Sequence, residues 1–470
     1  MKKIKFILLL IIMVFVYIYI FENSKDTNDV IIYIGNEKVI LDYESKDNII
    51  NLTSFTSEID TIIKEQEKVN KIMVNGEIIN NEINLGKINI NRESKLEIEV
   101  KYQNKKTKKF IINLLPSTFP KYTVKGKSNY EGDYYTSTFS FDYNSGNHYI
   151  FKFDIEGNII FYKKTNMVAF DFQKQENSKG EIRYLYLEAT DTTFDGISSL
   201  LPCELVILDE NYNEIKRIKH ITSKGNEIKL ENHGYMFIDD NHYILVGYET
   251  LKVTKDEDNL YIYNCIIQEI KEDKVLWEFN TKDYENLYDY STAENLNYNN
   301  PYQDYAHFNS MSIDIKDNNL LTSFRNIDAI LKIDRTNGEL MWILSGKGDQ
   351  FNLEDNQKTS KQHSVLSVGE NKILLYDNGN NKQKSRIVEY TISNENKRLE
   401  KFEEYDLELF AVMMGSVRVI DEKNKIYLIC YGGKDYEKSS IQEINLNTGE
   451  VYFEFTFDEI KSIYNVNKYK

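Results

Sequence analysis

DYAHFNSMSIDIKDNNLLTSFR, residues 304 to 325, decides how the chain is read. Met311, Ile313 and Ile315 alternate with polar residues, Asp317, Asn318 and Asn319 are turn chemistry, and a second short apolar run follows, so the stretch predicts two neighbouring strands joined by a tight turn. It carries His307, Asn309 and Arg325, a base and a fixed cation near one strand edge. Two other stretches echo it: ENHGYMFIDDNHYILVG (Glu231 to Gly247) and QHSVLSVGENKILLYDNG (Gln362 to Gly379). Each has a histidine, an alternating apolar run, a polar turn centred on Asn and a short apolar strand, which is an internal repeat.

A second repeated unit runs alongside. FKFDIEGNIIFY (Phe151 to Tyr162), LVILDENYNEIKRI (Leu205 to Ile218), IIQEIKEDKVLWEF (Ile266 to Phe279), ILKIDRTNGELMWIL (Ile330 to Leu344) and IQEINLNTGEVYFEF (Ile441 to Phe455) each read as strand, turn, strand. Such a hairpin cannot bury both faces alone, and four-stranded sheets stacked radially remove the edge problem, which is the logic of a β-propeller. His233, His307, His363 and the analogous Ser416 are separated by 74, 56 and 53 residues, blade-sized periods with insertions. Two less regular blades fit between Tyr122 and Ser223, so the expectation is an all-β chain with a six-bladed propeller over residues 119–470.

Upstream, short alternating runs such as VIIYIGN, KIMVNGEII and KLEIEVKY predict a small β-sandwich over residues 26–118, bounded by Pro116 and Pro120. It holds no histidine and no convergent polar cluster, so a structural or homodimerising role is expected of it. Residues 1–25 read as a signal or anchor: Lys2, Lys3 and Lys5 precede an uncharged run from Phe6 to Phe21, roughly 24 Å as a helix at about 1.5 Å per residue, with no small-x-small cleavage site after it. The basic flank stays in the cytoplasm, so an uncleaved, membrane-associated anchor and an extracytoplasmic location are expected.

Tyr and Phe number 35 and 24 and favour strands. The net charge of −16 and the absence of a basic stripe argue against a nucleic-acid partner. Three widely spaced cysteines, Cys203, Cys265 and Cys430, form neither a disulfide framework nor a zinc cluster. No GxxxxGK, helix-opening GxGxxG or GxSxG occurs, so nucleotide-dependent chemistry has no support.

Equivalent positions of successive blades lie at one level around a propeller's channel, so His233, His307 and His363 should converge. A repeated histidine can also be structural, holding strands together. Arg325 tilts the balance, because a channel-facing arginine needs an anion and no acidic residue recurs at the matching position. Three imidazoles, Arg325 and the Asn309 amide suit an oxyanion-rich group, with imidazole able to act as nucleophile or as acid and base. Metal binding by the three histidines competes, weakened by repulsion from Arg325. His148, His220 and His242 read as structural or solvated.

The set DYAHFNS, SFRN, RTNGELMWILSG, KQHS, LLYDNGN and SRIVEY, in this order, resembles the bacterial arylsulfate sulfotransferases from Leu114 to the carboxyl terminus. The resemblance implies a six-bladed propeller that moves a sulfuryl group from an aryl sulfate to a phenol by ping-pong kinetics, without phosphoadenosine phosphosulfate and without a cofactor or metal. It makes His363 the residue that carries sulfate covalently, and His307, His233 and Arg325 the other essential residues. Asn309 and Tyr305 are expected to contact substrate. A non-catalytic extracellular ligand-binding propeller is the alternative, and a quinone-dependent dehydrogenase would need a calcium-binding carboxylate cluster that the sequence lacks.

Overall fold

Strand after strand in the carboxyl-terminal two thirds of the chain is apolar on both faces. Leu320–Phe324 and Ala329–Ile333 are buried at every position, whereas Arg398–Asp406 is exposed or half-exposed throughout. Strands buried on both faces are interior to a stack of sheets, and a strand as polar as the last is its rim. The computed structural model describes residues 29–470 apart from 35–36, 47, 57, 65–68, 80–81, 88–89, 91–93, 195–199, 256–257, 294–301, 435–437 and 459–462. The expected anchor, residues 1–25, lies outside the described residues, and among those described no helix is long and apolar enough to cross a membrane. The fold is all-β and divides into two compact units, Met1–Ser117 and Thr118–Lys470.

Among the described residues the first unit forms two sheets. One pairs Val30–Ile34 with Glu37–Leu41 and with Glu58–Lys64. The other centres on Lys95–Tyr102, whose buried residues alternate along its length, flanked by Thr107–Asn113 and Val69–Val74. Ile49–Asn51 adds to it in parallel against Ile111–Asn113.

The second unit is a succession of antiparallel meanders. Asp133–Ser137, His148–Phe153 and Ile159–Thr165 form the first, and the carboxyl-terminal strand Val466–Tyr469 pairs back onto Asp133–Ser137. Ala169–Glu176, Ile182–Ala189, Cys203–Leu208 and Glu214–Ile218 form the next. Asn226–Asp239, His242–Lys255, Asp258–Lys271 and Lys274–Asn280 follow. Then come Phe308–Ile313 to Leu340–Leu344 and His363–Gly369 to Arg398–Asp406. The last meander, Ser416–Asp421 to Val451–Phe457, takes Tyr122–Gly126 as its outermost strand.

Consecutive meanders bury their faces against each other. Leu331 and Phe324 pack with Ile244 and Val246 of the meander before, and Leu321, Ile330 and Trp342 with Leu375 and Val388 of the one after. Leu374 and Tyr376 in turn meet Val417 and Ile429. The last meander meets the first, where Phe455 stacks on Phe153 with ring centroids 4.5 Å apart and Tyr134 on Phe453 at 5.1 Å. Each fully buried side chain of this size contributes about 1.5–3 kcal/mol. The first strands of neighbouring meanders also adjoin one another, and these strands carry or immediately follow the three histidines of the internal repeat.

Candidate active site

Each of those histidines sits where regular pairing fails. The register of Asn226–Asp239 shifts between Leu230 and Tyr235, bracketing His233. The pairing of Phe308–Ile313 shifts between Phe308 and Ser310, immediately after His307. His363–Gly369 shifts between His363 and Leu366. A bulge bends the strand and re-aims the side chain. His307 itself has φ 55°, and Ser364, next to His363, has φ 56°. Such left-handed non-glycine residues cost about 1–3 kcal/mol each and persist where surrounding structure over-determines them. Backbone bonds from Arg325 N to the His307 carbonyl (2.7 Å) and from Asn326 N to that of Ala306 (2.8 Å) fix Arg325 beside His307.

His233, His307, Arg325 and His363 line one cavity of about 510 Å³. Its wall also includes Phe139, Phe141, Tyr143, Met413 and Met414, which add an apolar and aromatic surface to the polar cluster. The three imidazoles are only 7, 6 and 4% exposed. A smaller polar cavity of about 90 Å³, lined by Asp171, Gln173, Asn309 and Arg418, shares the walls His233, His363 and Tyr464.

His363 Nδ1 lies 2.7 Å from Asn378 Oδ1 and 3.0 Å from the Lys361 carbonyl oxygen. Asn378 donates its own amide hydrogens to the carbonyls of Ala411 (2.8 Å) and Met414 (2.9 Å), which fixes the oxygen towards the ring. Both neighbours of Nδ1 are acceptors, so Nδ1 carries the proton and Nε2 keeps the lone pair. Burial, then the Arg325 guanidinium, push His363 well below the usual imidazole range, against the Asn378 bond, so it is a neutral base at pH 7. Gly379 makes the turn that presents Asn378: it has φ +63°, and a Cβ there would lie 1.9 Å from the Lys384 carbonyl oxygen.

His233 and His307 form a pair. Their Nε2 atoms are 3.1 Å apart and the rings meet nearly edge to face, at 76°. Each Nδ1 meets a carboxylate: that of His233 lies 2.6 Å from Glu231 Oε2, and that of His307 is bonded to Asp304. Backbone amides of His233 (2.9 Å) and Gly234 (3.2 Å) also donate to Glu231. Burial lowers His307 against the pull of Asp304, and burial raises Glu231 against the pull of His233.

The sequence reading looks for an acidic partner only at the position matching Arg325 and does not register the two carboxylates that meet the histidines. Glu231 and Asp304 lie two and three residues before their histidines, and that short acid-to-histidine spacing was a readable signal. Tyr305, expected to contact substrate, is 2% exposed, packs in the apolar core against Tyr288 and lines neither cavity. Asn309 lines the smaller cavity and spends its amide on the Gln362 carbonyl at 2.6 Å. His148 is buried against the Tyr143 carbonyl (3.0 Å), His242 pairs with Glu269 (2.8 Å) and His220 is exposed, all outside the site. The three cysteines are buried thiols, and among the described residues no cluster of His, Cys, Asp and Glu has the form of a metal site.

Solved structures similar to this chain include a protein of unknown function from Bacteroides caccae, 13% identical over 72% of this chain and 99% of its own, TM-score 0.42. A virginiamycin B lyase from Staphylococcus aureus is 13% identical over 78% and 93%, TM-score 0.33. An apocarotenoid oxygenase from Synechocystis is 7% identical over 75% and 96%, TM-score 0.38. Likeness at this level carries no functional argument. No curated protein matches the chain. The family model described as Arylsulfotransferase (ASST) matches residues 123–465, a span that takes in both halves of the histidine pair, Arg325 and His363 with its Asn378 support. Over nearly all of its larger unit, then, this chain is an arylsulfotransferase-family protein, and it belongs to that family.

Proposed function

We propose that the chain transfers a sulfuryl group from a phenolic sulfate to a phenol by a ping-pong route through a sulfohistidine at His363, without nucleotide, cofactor or metal. Family membership supports aryl sulfotransferase activity and phenolic substrates in general terms. The observation that carries the finer reading is the fixed tautomer of His363: Nδ1 is tied to two acceptors, leaving the Nε2 lone pair for attack. Sulfuryl transfer, like phosphoryl transfer, passes through a loose transition state with charge on the equatorial oxygens and the departing oxygen, so positioning and electrostatics dominate. Arg325 supplies a cation for the sulfonate oxygens, and the aromatic and methionine wall takes the aryl group.

In the first half-reaction the N–S bond to His363 forms as the S–O bond breaks, and the electron pair of that bond leaves with the phenoxide. In the second, an acceptor phenol oxygen attacks sulfur and His363 departs as neutral imidazole. The six-bladed propeller is part of the proposal, supported by the meanders and by the packing of Phe455 on Phe153 where last meets first. So are the extracytoplasmic, membrane-anchored location and a dimerising role for the amino-terminal unit, which rest on the sequence. Mixing enzyme with an aryl sulfate and no acceptor tests the reaction. One equivalent of phenol should be released in a burst, with a sulfuryl mass gain on the peptide containing KQHS. Neither burst nor adduct alongside full turnover with acceptor would sink the covalent route.

A further inference from the structure

Asp304, His307, His233 and Glu231 form an unbroken row, carboxylate to imidazole to imidazole to carboxylate. Three hydrogen bonds in series need three protons, and two neutral imidazoles bring only two. With both carboxylates ionised the third proton is an extra one, and the row then carries a single net negative charge beside Arg325. Asp304 Oδ1 is buried and has no hydrogen-bond partner, which makes a full carboxylate charge there costly and draws that proton inward. Asp304, His307 and His233 line the cavity that holds His363, so the proton of the row is available where a phenoxide departs.

We infer that these four residues act as one proton store, in which His233 and His307 share a proton that passes to the departing phenoxide and returns from the incoming phenol, with Glu231 and Asp304 as positioning residues. The inference rests on the sulfuryl-transfer reading above. The proton count closes over the cycle. Donor cleavage gives sulfo-His363 and a phenoxide, which takes the shared proton and leaves as phenol. The acceptor phenol gives its proton to the vacant pair as its oxygen attacks sulfur. The two imidazoles then work as a unit, with no fixed division into acid and base.

Other titratable groups around the row are Arg325, Lys361 and His363 from the cavity, Tyr464 with its ring edge-on to His233 at 5.8 Å, and Tyr248, Cys203 and Cys265, which couple electrostatically to the carboxylates. Burial pushes those phenols and thiols well up, so they stay uncharged near neutrality. Burial weakens the hold of His307 on a proton and strengthens that of Glu231, so the proton shared by the imidazoles is one they give up readily.

The test uses two donors without acceptor: phenyl sulfate, whose leaving group needs a proton, and 4-nitrophenyl sulfate, whose leaving group needs little help. General-acid assistance is worth about 10²–10⁴-fold. Glu231→Gln and Asp304→Asn should therefore lose about a hundredfold or more in burst rate with phenyl sulfate and less than about tenfold with 4-nitrophenyl sulfate. Equal losses on both donors, or none, overturn the inference. If neither variant folds, the wild-type pH profile decides: the burst with phenyl sulfate should fall as pH rises and the row gives up its proton, while that with 4-nitrophenyl sulfate stays level. Matching profiles overturn it. If wild-type enzyme shows no burst at all, the sulfohistidine reading fails, and the same donor comparison under steady turnover with acceptor judges the proton store separately.

Discussion

Asn378 stands fifteen residues beyond His363 and decides which of its nitrogens is nucleophilic, with Oδ1 on His363 Nδ1 at 2.7 Å and its amide nitrogen committed to Ala411 and Met414. The carboxamide is fully buried, so it has no alternative orientation that leaves those two carbonyls satisfied. It is a positioning residue for His363, acting on proton placement and not on substrate.

Asn378→Ala removes one of two acceptors at Nδ1, takes the Asn378 donor from the buried Met414 carbonyl and leaves that of Ala411 with the Ser385 hydroxyl at 3.5 Å, a loss of about 1–3 kcal/mol for an unsatisfied buried group. Loss of the ring's orientation at a similar cost corresponds to about 10–100-fold in the rate of adduct formation, at about 1.4 kcal/mol per tenfold. Rapid-quench measurement of the adduct checks this. Donor KM should change less than the rate of adduct formation, although Met414 of the aryl wall loses a hydrogen bond, and a change confined to KM would argue against the positioning role.

Arg325→Lys keeps the charge and loses the planar fork. Removing a donor aimed at developing charge typically costs about 10²–10³-fold in kcat. The adduct on His363 should still form slowly, which mass spectrometry of the peptide can follow over long incubation. An Arg325→Lys enzyme with unchanged kcat would remove Arg325 from the transition state.

How much of this was legible depends on whether a residue's role follows strand alternation. The hairpins from Phe151 to Phe455 lie in paired strands as expected, because turn chemistry and period-two burial are local. His233, His307 and His363 could be matched because the same bulged position recurs in each meander. Tyr305 was misplaced for the converse reason. Two residues before His307 it would share that residue's face in a regular strand, but the left-handed backbone at His307 breaks the alternation and turns Tyr305 into the core. Asn378 lies in a motif the sequence singled out, LLYDNGN. Its role nevertheless depends on the hairpin that brings it opposite His363, and no spacing rule states that contact.

The carboxyl-terminal strand offers a test of closure. Val466–Tyr469 pairs with Asp133–Ser137, and Lys468 Nζ reaches Glu443 (2.6 Å), Ser128 (2.8 Å) and the Tyr130 carbonyl (2.7 Å). Lys468→Ala leaves Glu443 as an uncompensated buried charge, a loss of about 3–5 kcal/mol. Truncation after residue 465 should cost more and remove cooperative thermal unfolding, since it also strips the ladder from the first meander. Calorimetry that gave the truncated and intact proteins the same Tm would contradict closure through this strand.

The acid limb of the activity reports on His363. An ordinary histidine has a pKa of about 6.5, and here burial and the Arg325 guanidinium push it well below that. Above the depressed value the ring is neutral with its Nε2 lone pair intact, so adduct formation from 4-nitrophenyl sulfate should persist below pH 6.5 and be lost only as pH falls through the folded-state value. Stability follows the same sign. Above about pH 6.5 the ring is neutral both folded and unfolded, and below it the unfolded chain takes up a proton that the folded ring refuses, so stability falls as pH drops towards the folded value. Arg325→Gln removes the cationic neighbour, which should shift the acid limb of the burst rate to higher pH even as the rate itself drops. A limb that stayed where it was, or moved to lower pH, would show that the guanidinium does not face the nucleophile closely enough to tune it.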